Sequence, residues 1–393
     1  MAVSDRVRLS MEKSSWIRRM FEQGAALKQQ FGDDKVFDLS LGNPVMEPPP
    51  EFNEALQRLA SSPDRGTHRY MPNAGYQETR AAVAEGLTEE TGLPFTANEI
   101  VMTVGAGGAI NVVLRSILDP GDEVILLAPY FAEYTFYVDN HGGVSKVVPT
   151  DADFLPDIEA IEAAIGPKTR AVFINSPNNP TGALYPAERL QALGALLERK
   201  SRDLGREIFL ISDEPYRKVI FDGLTYPHVF PFYPRTIVAT SHSKDLALPG
   251  ERIGYIAVNP AYEERQELIA GCIFANRILG FVNAPALMQR VVVHLQRATV
   301  DVMDYQRKRD MLYDSLTGMG YQVPYPQGAF YMFPRSPVED ELEFINELLQ
   351  YNVLVVPGRG FGTPGYFRLS YCVEDWVLEG ALEGFAKVAR AGA

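Results

Sequence analysis

The chain has 393 residues, enough for more than one domain and a large buried core; 46% are hydrophobic and 22% charged, the balance of a soluble globular enzyme. Lys and Arg number 37 against 50 Asp and Glu, and a net charge of -13 excludes nucleic acid as an expected partner. The most apolar stretch, Val124 to Ala132, falls far short of the ~20 residues of a membrane helix, and the opening residues lack the apolar core of a signal peptide.

In chain order, the stretch to Phe31 is predicted as an amphipathic helix, with Ile17, Met20, Phe21, Ala25 and Leu27 at helical spacing. Pro44 and the run Pro48-Pro49-Pro50 then impose an extended crossing segment. From about Asn98 strand and helix alternate: strand Glu99–Val104, helix Gly107–Leu118, strand Glu123–Ala128, helix Phe131–Asn140. Strands follow at Ala171–Asn175, Ile208–Asp213, Thr236–Ser241 and Gly254–Val258, with helix Ala187–Ser201 among them. Apolar strands alternating with helices predict an α/β fold with a mainly parallel sheet between helices. After Pro285 a long helical region to about Met319, strands near Ala329–Phe333 and Phe367–Tyr371, and a terminal helix from about Val373 predict a smaller α+β domain. The expected division is 1–45 (N-terminal helix and crossing segment, joined to the small domain), 46–285 (large domain) and 286–393 (small domain).

Open parallel sheets bind ligands beyond the carboxyl ends of their strands, where Gly105, Asn179, Asp213 and Ser241 all fall. Val104-Gly105-Ala106-Gly107-Gly108-Ala109 joins a strand to a helix, and small residues there let backbone N–H groups approach a phosphate. A dinucleotide fingerprint fits less well, because Ile110 holds its third glycine position and no acidic residue closes the next strand near Ala128. Cys272 and Cys372 show no CxxC spacing and few histidines accompany them, so inert thiols in a reducing cytoplasm are expected, with no metal.

Lys244 closes Ser241-His242-Ser243-Lys244, and a lysine amine that forms a Schiff base with a carbonyl most often meets pyridoxal phosphate (PLP). Asp213 ends the apolar strand Ile208-Phe209-Leu210-Ile211, where a desolvated carboxylate needs a cation such as a protonated pyridine nitrogen; a helix-capping loop aspartate is the plainer alternative. Tyr216, three residues on, is either a donor to the cofactor's phenolic oxygen or core. Ser176-Pro177-Asn178-Asn179-Pro180-Thr181-Gly182 is either a proline-rich turn or part of the same edge. Arg252 suits a phosphate or a surface ion pair, and Tyr130 a ring stack or core packing. Arg368, in Tyr366-Phe367-Arg368-Leu369-Ser370, calls for a substrate carboxylate or an internal ion pair.

With SPNNPTG at 176–182, SDEPY at 212–216, SHSK at 241–244, ERIGY at 251–255 and FRLS at 367–370, the chain resembles fold type I PLP-dependent aminotransferases of class I/II, the aspartate aminotransferase family, nearly end to end. The resemblance implies that Lys244 bears the cofactor, Asp213 pairs with its pyridine nitrogen, and Tyr216 and Asn179 bond its phenolic oxygen. It implies a phosphate held by Ser241, Ser243, Arg252 and the backbone of Ala106 and Gly107. Tyr70 would reach the phosphate of a neighbouring subunit, so a homodimer with shared sites is expected. Gly42, Asn179 and Arg368 would grip the substrate α-carboxylate. Family members often carry tryptophan where Tyr130 falls, a departure that keeps stacking and bears on substrate preference.

The activity implied is transfer of an amino group from an L-amino acid to a 2-oxo acid, with freed Lys244 as general base. Aspartate or glutamate would need a second cation, for which Arg277 competes with a helix-surface reading. Phe330-Tyr331 would equally line a pocket for apolar or aromatic side chains. A PLP-dependent C–S β-lyase on the same fold is the alternative; a non-catalytic PLP and amino-acid binding module would need an output domain for which the match leaves little chain.

Overall fold

The computed structural model describes residues 2–13, 15–61 and 65–391. Its centre is a seven-stranded sheet: β1 (Ile100–Thr103), β2 (Glu123–Ala128), β3 (Val144–Pro149), β4 (Thr169–Asn175), β5 (Phe209–Asp213), β6 (Thr236–Ser241) and β7 (Gly254–Val258). The order across the sheet is β1-β7-β6-β5-β4-β2-β3. Every pairing is parallel except the two made by β7, which runs antiparallel to β1 and β6.

Both faces are apolar because both are covered. Ile125, Leu127, Val172, Ile174, Leu210 and Val238 pack into one core, whereas their strand neighbours Val124, Leu126, Phe173, Ile211, Ile237 and Ala239 pack into the other. That alternation over continuously hydrophobic strands is what a sheet buried on two sides requires. Helices Gly105–Ile117 and Arg265–Ile278 supply the second core, and Gln77–Thr91, Ala187–Leu204 and Ala286–Val292 the first. Met288, Val291, Val292 and Leu295 thus belong to the sheet's core although they lie beyond 285. β3 is partly exposed at the edge and mixes Lys146 with valines, a pattern that gave no strand signal in the sequence.

A third core gathers Met20, Leu39 and aromatic residues from Tyr305 to Phe385 around a small antiparallel sheet of Val356–Pro357, Phe367–Ser370 and Tyr331–Met332. Phe37–Asp38 pairs in parallel with Val353–Leu354, tying the N-terminal segment to this core. The N-terminal amphipathic stretch forms two helices, Asp5–Lys13 and Ser15–Phe31, and Met20 is buried; the side chains of Ile17 and Phe21 lie outside the described residues. The long helix expected to run to Met319 is two, Ala286–Val292 and Val302–Gly318. Asp301 caps the second through the N–H groups of Met303 and Asp304, and the N–H of Val300 donates to Asp245 O at 2.8 Å. The Val300 N–H, spent on the loop that carries Lys244, is unavailable to a continuous helix.

Candidate active site

Strands β4, β5 and β6 end side by side, at Asn175, Asp213 and Ser241. Because β7 is antiparallel, its first residue, Gly254, pairs with Thr103 of β1 and Ser241 of β6. The turn before β7 therefore delivers Arg252 to the edge that already holds Gly105 and Ser241. The fit is close: a Cβ on Gly105 would lie 2.7 Å from Arg252 Nη2, and one on Gly254 2.3 Å from Thr240 O. Gly105 is also at φ +74°, a conformation that favours glycine.

A cavity of about 320 Å³ opens over this edge, and Gly42, Ala106, Gly107, Asn179, Asp213, Tyr216, Ser241, Ser243, Lys244, Arg252 and Arg368 all line it. Lys244 Nζ donates to Gly42 O at 2.7 Å, and burial lowers its pKa to about 8. Burial raises the Asp213 carboxyl to about 7, opposed by the hydroxyl of Tyr134, which donates to Oδ2 at 2.5 Å. Asp213 Oδ1 is buried and has no hydrogen-bond partner among the described residues. Asn175 fastens two of these loops together, donating to Asp213 O at 2.8 Å and accepting from the N–H of Asn179 at 2.7 Å. Ser241 Oγ and Ser243 Oγ are 3.1 Å apart.

Arg368 is buried in its strand and donates to Asn179 Oδ1 at 3.1 Å and to Ser40 O, while Nε has no partner among the described residues. Its guanidinium lies 4.8 Å from the ring of Tyr331 and 4.9 Å from that of Phe361. Among the described residues its hydrogen bonds go to neutral oxygens, leaving a fixed, desolvated cation facing the cavity. Tyr331 also meets Tyr216, hydroxyl to hydroxyl at 3.1 Å, and burial pushes the Tyr216 phenol well above its usual range. A Cβ on Gly42 would lie 1.9 Å from Tyr331 Oη, so only glycine fits there.

Three residues singled out in the sequence, Tyr130, Tyr70 and Arg277, do not line this chain's own cavity. Tyr130 does not line the cavity; its N–H donates to Phe361 O at 3.1 Å and its ring lies against Gly362. Phe131, one residue on, lines the cavity, as do Tyr134, Tyr137, Tyr216 and Tyr331. Tyr70 is 89% exposed and lies beside a separate hollow with Met71, Asn283 and Ala284. Arg277 is also on the surface, its guanidinium 5.4 Å from the ring of Phe274. Sequence reasoning passed over Phe131, Glu133 and Tyr134 in the cavity wall; the dense aromatic run from Tyr130 to Tyr137 was the available signal. Among the described residues no group of three or more His, Cys, Asp or Glu side chains is placed to hold a metal, and no helix is long and apolar enough to cross a membrane.

The family described as aminotransferase class I and II matches residues 34–385. The chain is 36% identical over 358 residues to an aspartate/prephenate aminotransferase of Thermus thermophilus, a match covering 89% of this chain and 90% of that relative. A crystal structure of an amino transferase from Eubacterium rectale superposes with a TM-score of 0.96 at 40% identity, covering 100% of this chain and 99% of the other. An aspartate aminotransferase from Thermus thermophilus, solved with maleate, gives a TM-score of 0.86 at 32% identity over 99% and 100% of the two chains.

Proposed function

The chain belongs to the class I and II aminotransferases and shares their fold and enzyme activity, and from that premise we propose that PLP occupies the cavity, attached through Lys244. The observation that carries this reading is the presence in one cavity of an amine whose pKa is lowered to about 8 and a buried carboxylate oxygen, Asp213 Oδ1, that has no partner among the described residues. A protonated pyridine nitrogen satisfies that oxygen and explains why the fold tolerates a buried acid. Tyr134 would hold the other oxygen in place. The small residues Ala106 and Gly107, with Ser241, Ser243 and Arg252, form a cradle of donors suited to a phosphate. Phe131 is the ring we assign to stacking.

When bound, PLP supplies an electron sink for the pair left when a substrate Cα–H bond breaks. Lys244 then holds and moves the proton: its neutral amine takes it from Cα, and the same amine returns it to the other side of the transferred nitrogen. Asp213 keeps the sink charged, and Tyr216 donates toward the phenolic oxygen. Arg368 orients the substrate through its α-carboxylate, with Asn179 and Gly42 beside it. Holding that carboxylate fixes which Cα–H bond points toward Lys244.

Aspartate, in the name of the Thermus relative, and glutamate are the first donors to test. Among the described residues the cavity wall of this chain offers no cation beyond Lys244, Arg252 and Arg368. We also read the protein as a cytoplasmic homodimer, on its two buried free thiols and on the exposed Tyr70, Phe274 and Ile278. The division at 45 and 285 is likewise our reading, supported by separate cores, with the second boundary better drawn after Leu295.

The test is a half-reaction on the purified protein without any oxo acid: each amino acid is added and the cofactor's visible band followed. Loss of that band to the amine form, with one equivalent of 2-oxo acid released, supports transfer. Pyruvate and ammonia released catalytically would replace it with β-elimination, and a protein that carries no such band would overturn Lys244 as the attachment point.

A further inference from the structure

Glu133 stands in the cavity wall two residues after Phe131 and beside Tyr134, on the turn that enters helix Glu133–Asn140. Its Oε2 is buried and has no hydrogen-bond partner among the described residues. No lysine or arginine forms an ion pair with it among those residues, although its own backbone N–H and, less, the charge of Arg368 oppose the rise that burial imposes on its carboxyl. It shares the cavity wall with Tyr137, Tyr331 and Arg368, and its charge adds to the burial that raises both phenols. The roles assigned above leave it nothing to do. Asp213 meets the ring nitrogen, Arg368 meets the α-carboxylate, and Lys244 moves the proton.

A buried carboxylate oxygen without a donor is costly, and the cost is removed when something entering the cavity brings one. The entering group is the substrate, and the part of it not already gripped is the side chain. Resting on the aminotransferase reading, we infer that Glu133 is a specificity-determining residue that accepts a hydrogen bond from the substrate side chain and selects amino acids whose side chains end in a donor, an amide above all, over isosteric acids. A side-chain carboxylate in the same position would bring like charge to Glu133 in a desolvated space, with no free cation beside it among the described residues of this chain. The selection is by repulsion as well as by bonding, and the isosteric pairs glutamine/glutamate and asparagine/aspartate isolate it from size.

The test uses the cofactor-loaded enzyme and the half-reaction, comparing second-order rate constants within each pair for the native protein, Glu133→Gln and Glu133→Ala. The native enzyme should favour the amide member by roughly tenfold or more, the scale of one hydrogen bond to a charged group. Glu133→Gln should lower the amide-to-acid ratio by about the same factor while alanine, which has no side-chain polar group, changes by less than about twofold. The visible spectrum of each variant reports whether its cofactor site is intact, and the native ratio requires no variant at all. A native preference for the acid in both pairs, as a cation from a second subunit would produce, overturns the assignment. An unchanged ratio in both variants does the same. Failure of every amino acid, alanine included, to convert the cofactor instead overturns the aminotransferase reading, and this assignment with it.

Discussion

Tyr134 donates its hydroxyl to Asp213 Oδ2 at 2.5 Å, while Oδ1 of the same carboxylate is buried without a partner among the described residues. One oxygen is thereby fixed by the protein and the other is left for whatever enters the cavity. Tyr134→Phe removes the fixing bond and keeps the ring's packing on Phe173. We expect cofactor affinity to fall by roughly three- to tenfold, the value of one hydrogen bond, with the fold unchanged. Equilibrium dialysis against PLP measures it, and an affinity equal to the native one would remove Tyr134 from the site.

Burial raises the Asp213 carboxyl to about 7, against ~3.9 in an unfolded chain. Between those values the unfolded chain has released a proton that the folded one retains, so the acid's contribution to stability falls as pH rises through that window. In cofactor-free protein, Asp213→Asn should remove this slope, worth at most roughly 1.4 kcal/mol per pH unit. Urea unfolding of the two proteins from about pH 4 to pH 7 gives the comparison. Parallel curves would refute the raised pKa.

For Lys244 the sign is reversed. Its folded pKa, about 8, lies below the ~10.4 of a free lysine, so the buried charge costs stability at pH below 8, and the cost disappears as pH rises to about 10.4. Cofactor-free Lys244→Met should lack this rise. Lys244→Ala should abolish turnover and the visible cofactor band together, and turnover retained in that variant would end the assignment.

Gly42 and Tyr331 are sterically coupled, since a Cβ on the former would lie 1.9 Å from the hydroxyl of the latter. Gly42→Ala should lower kcat/KM at least tenfold by displacing Tyr331 or the loop whose carbonyl accepts from Lys244. Tyr331→Phe, which removes the nearest atom, should restore part of that loss in the double variant. Strictly additive effects would show that the two residues do not act on one another.

Arg368→Lys retains the charge but not the fork that reaches Asn179 and Ser40. It should raise KM for every amino acid by roughly ten- to a hundredfold, whatever the side chain. A loss confined to acidic donors would instead place Arg368 on the substrate side chain.

Much of this was legible in the chain itself, and for a physical reason. A strand buried on both faces is apolar throughout, so Glu123–Ala128, Thr236–Ser241 and Gly254–Val258 were predicted with the bounds they have. Polar residues that interrupt such runs fall at strand ends, which is why Asp213 and Ser241 could be named before any contact was known; Lys244 was named from its own chemistry and motif. Other features depend on partners distant in sequence. Whether Tyr130 or Phe131 faces the cavity is decided by packing on Phe361 and Gly362, more than two hundred residues away. The helical region expected to run to about Met319 is divided in two, with the Val300 N–H taken by Asp245 O and Asp301 capping a new helix. The open oxygens of Asp213 and Glu133 are equally invisible in the sequence, because the absence of a partner is a property of everything folded around an atom. The sequence determined six of the seven sheet strands and most of the chemical groups along their edge; tertiary packing decided which way those groups face and which of them remain unsatisfied.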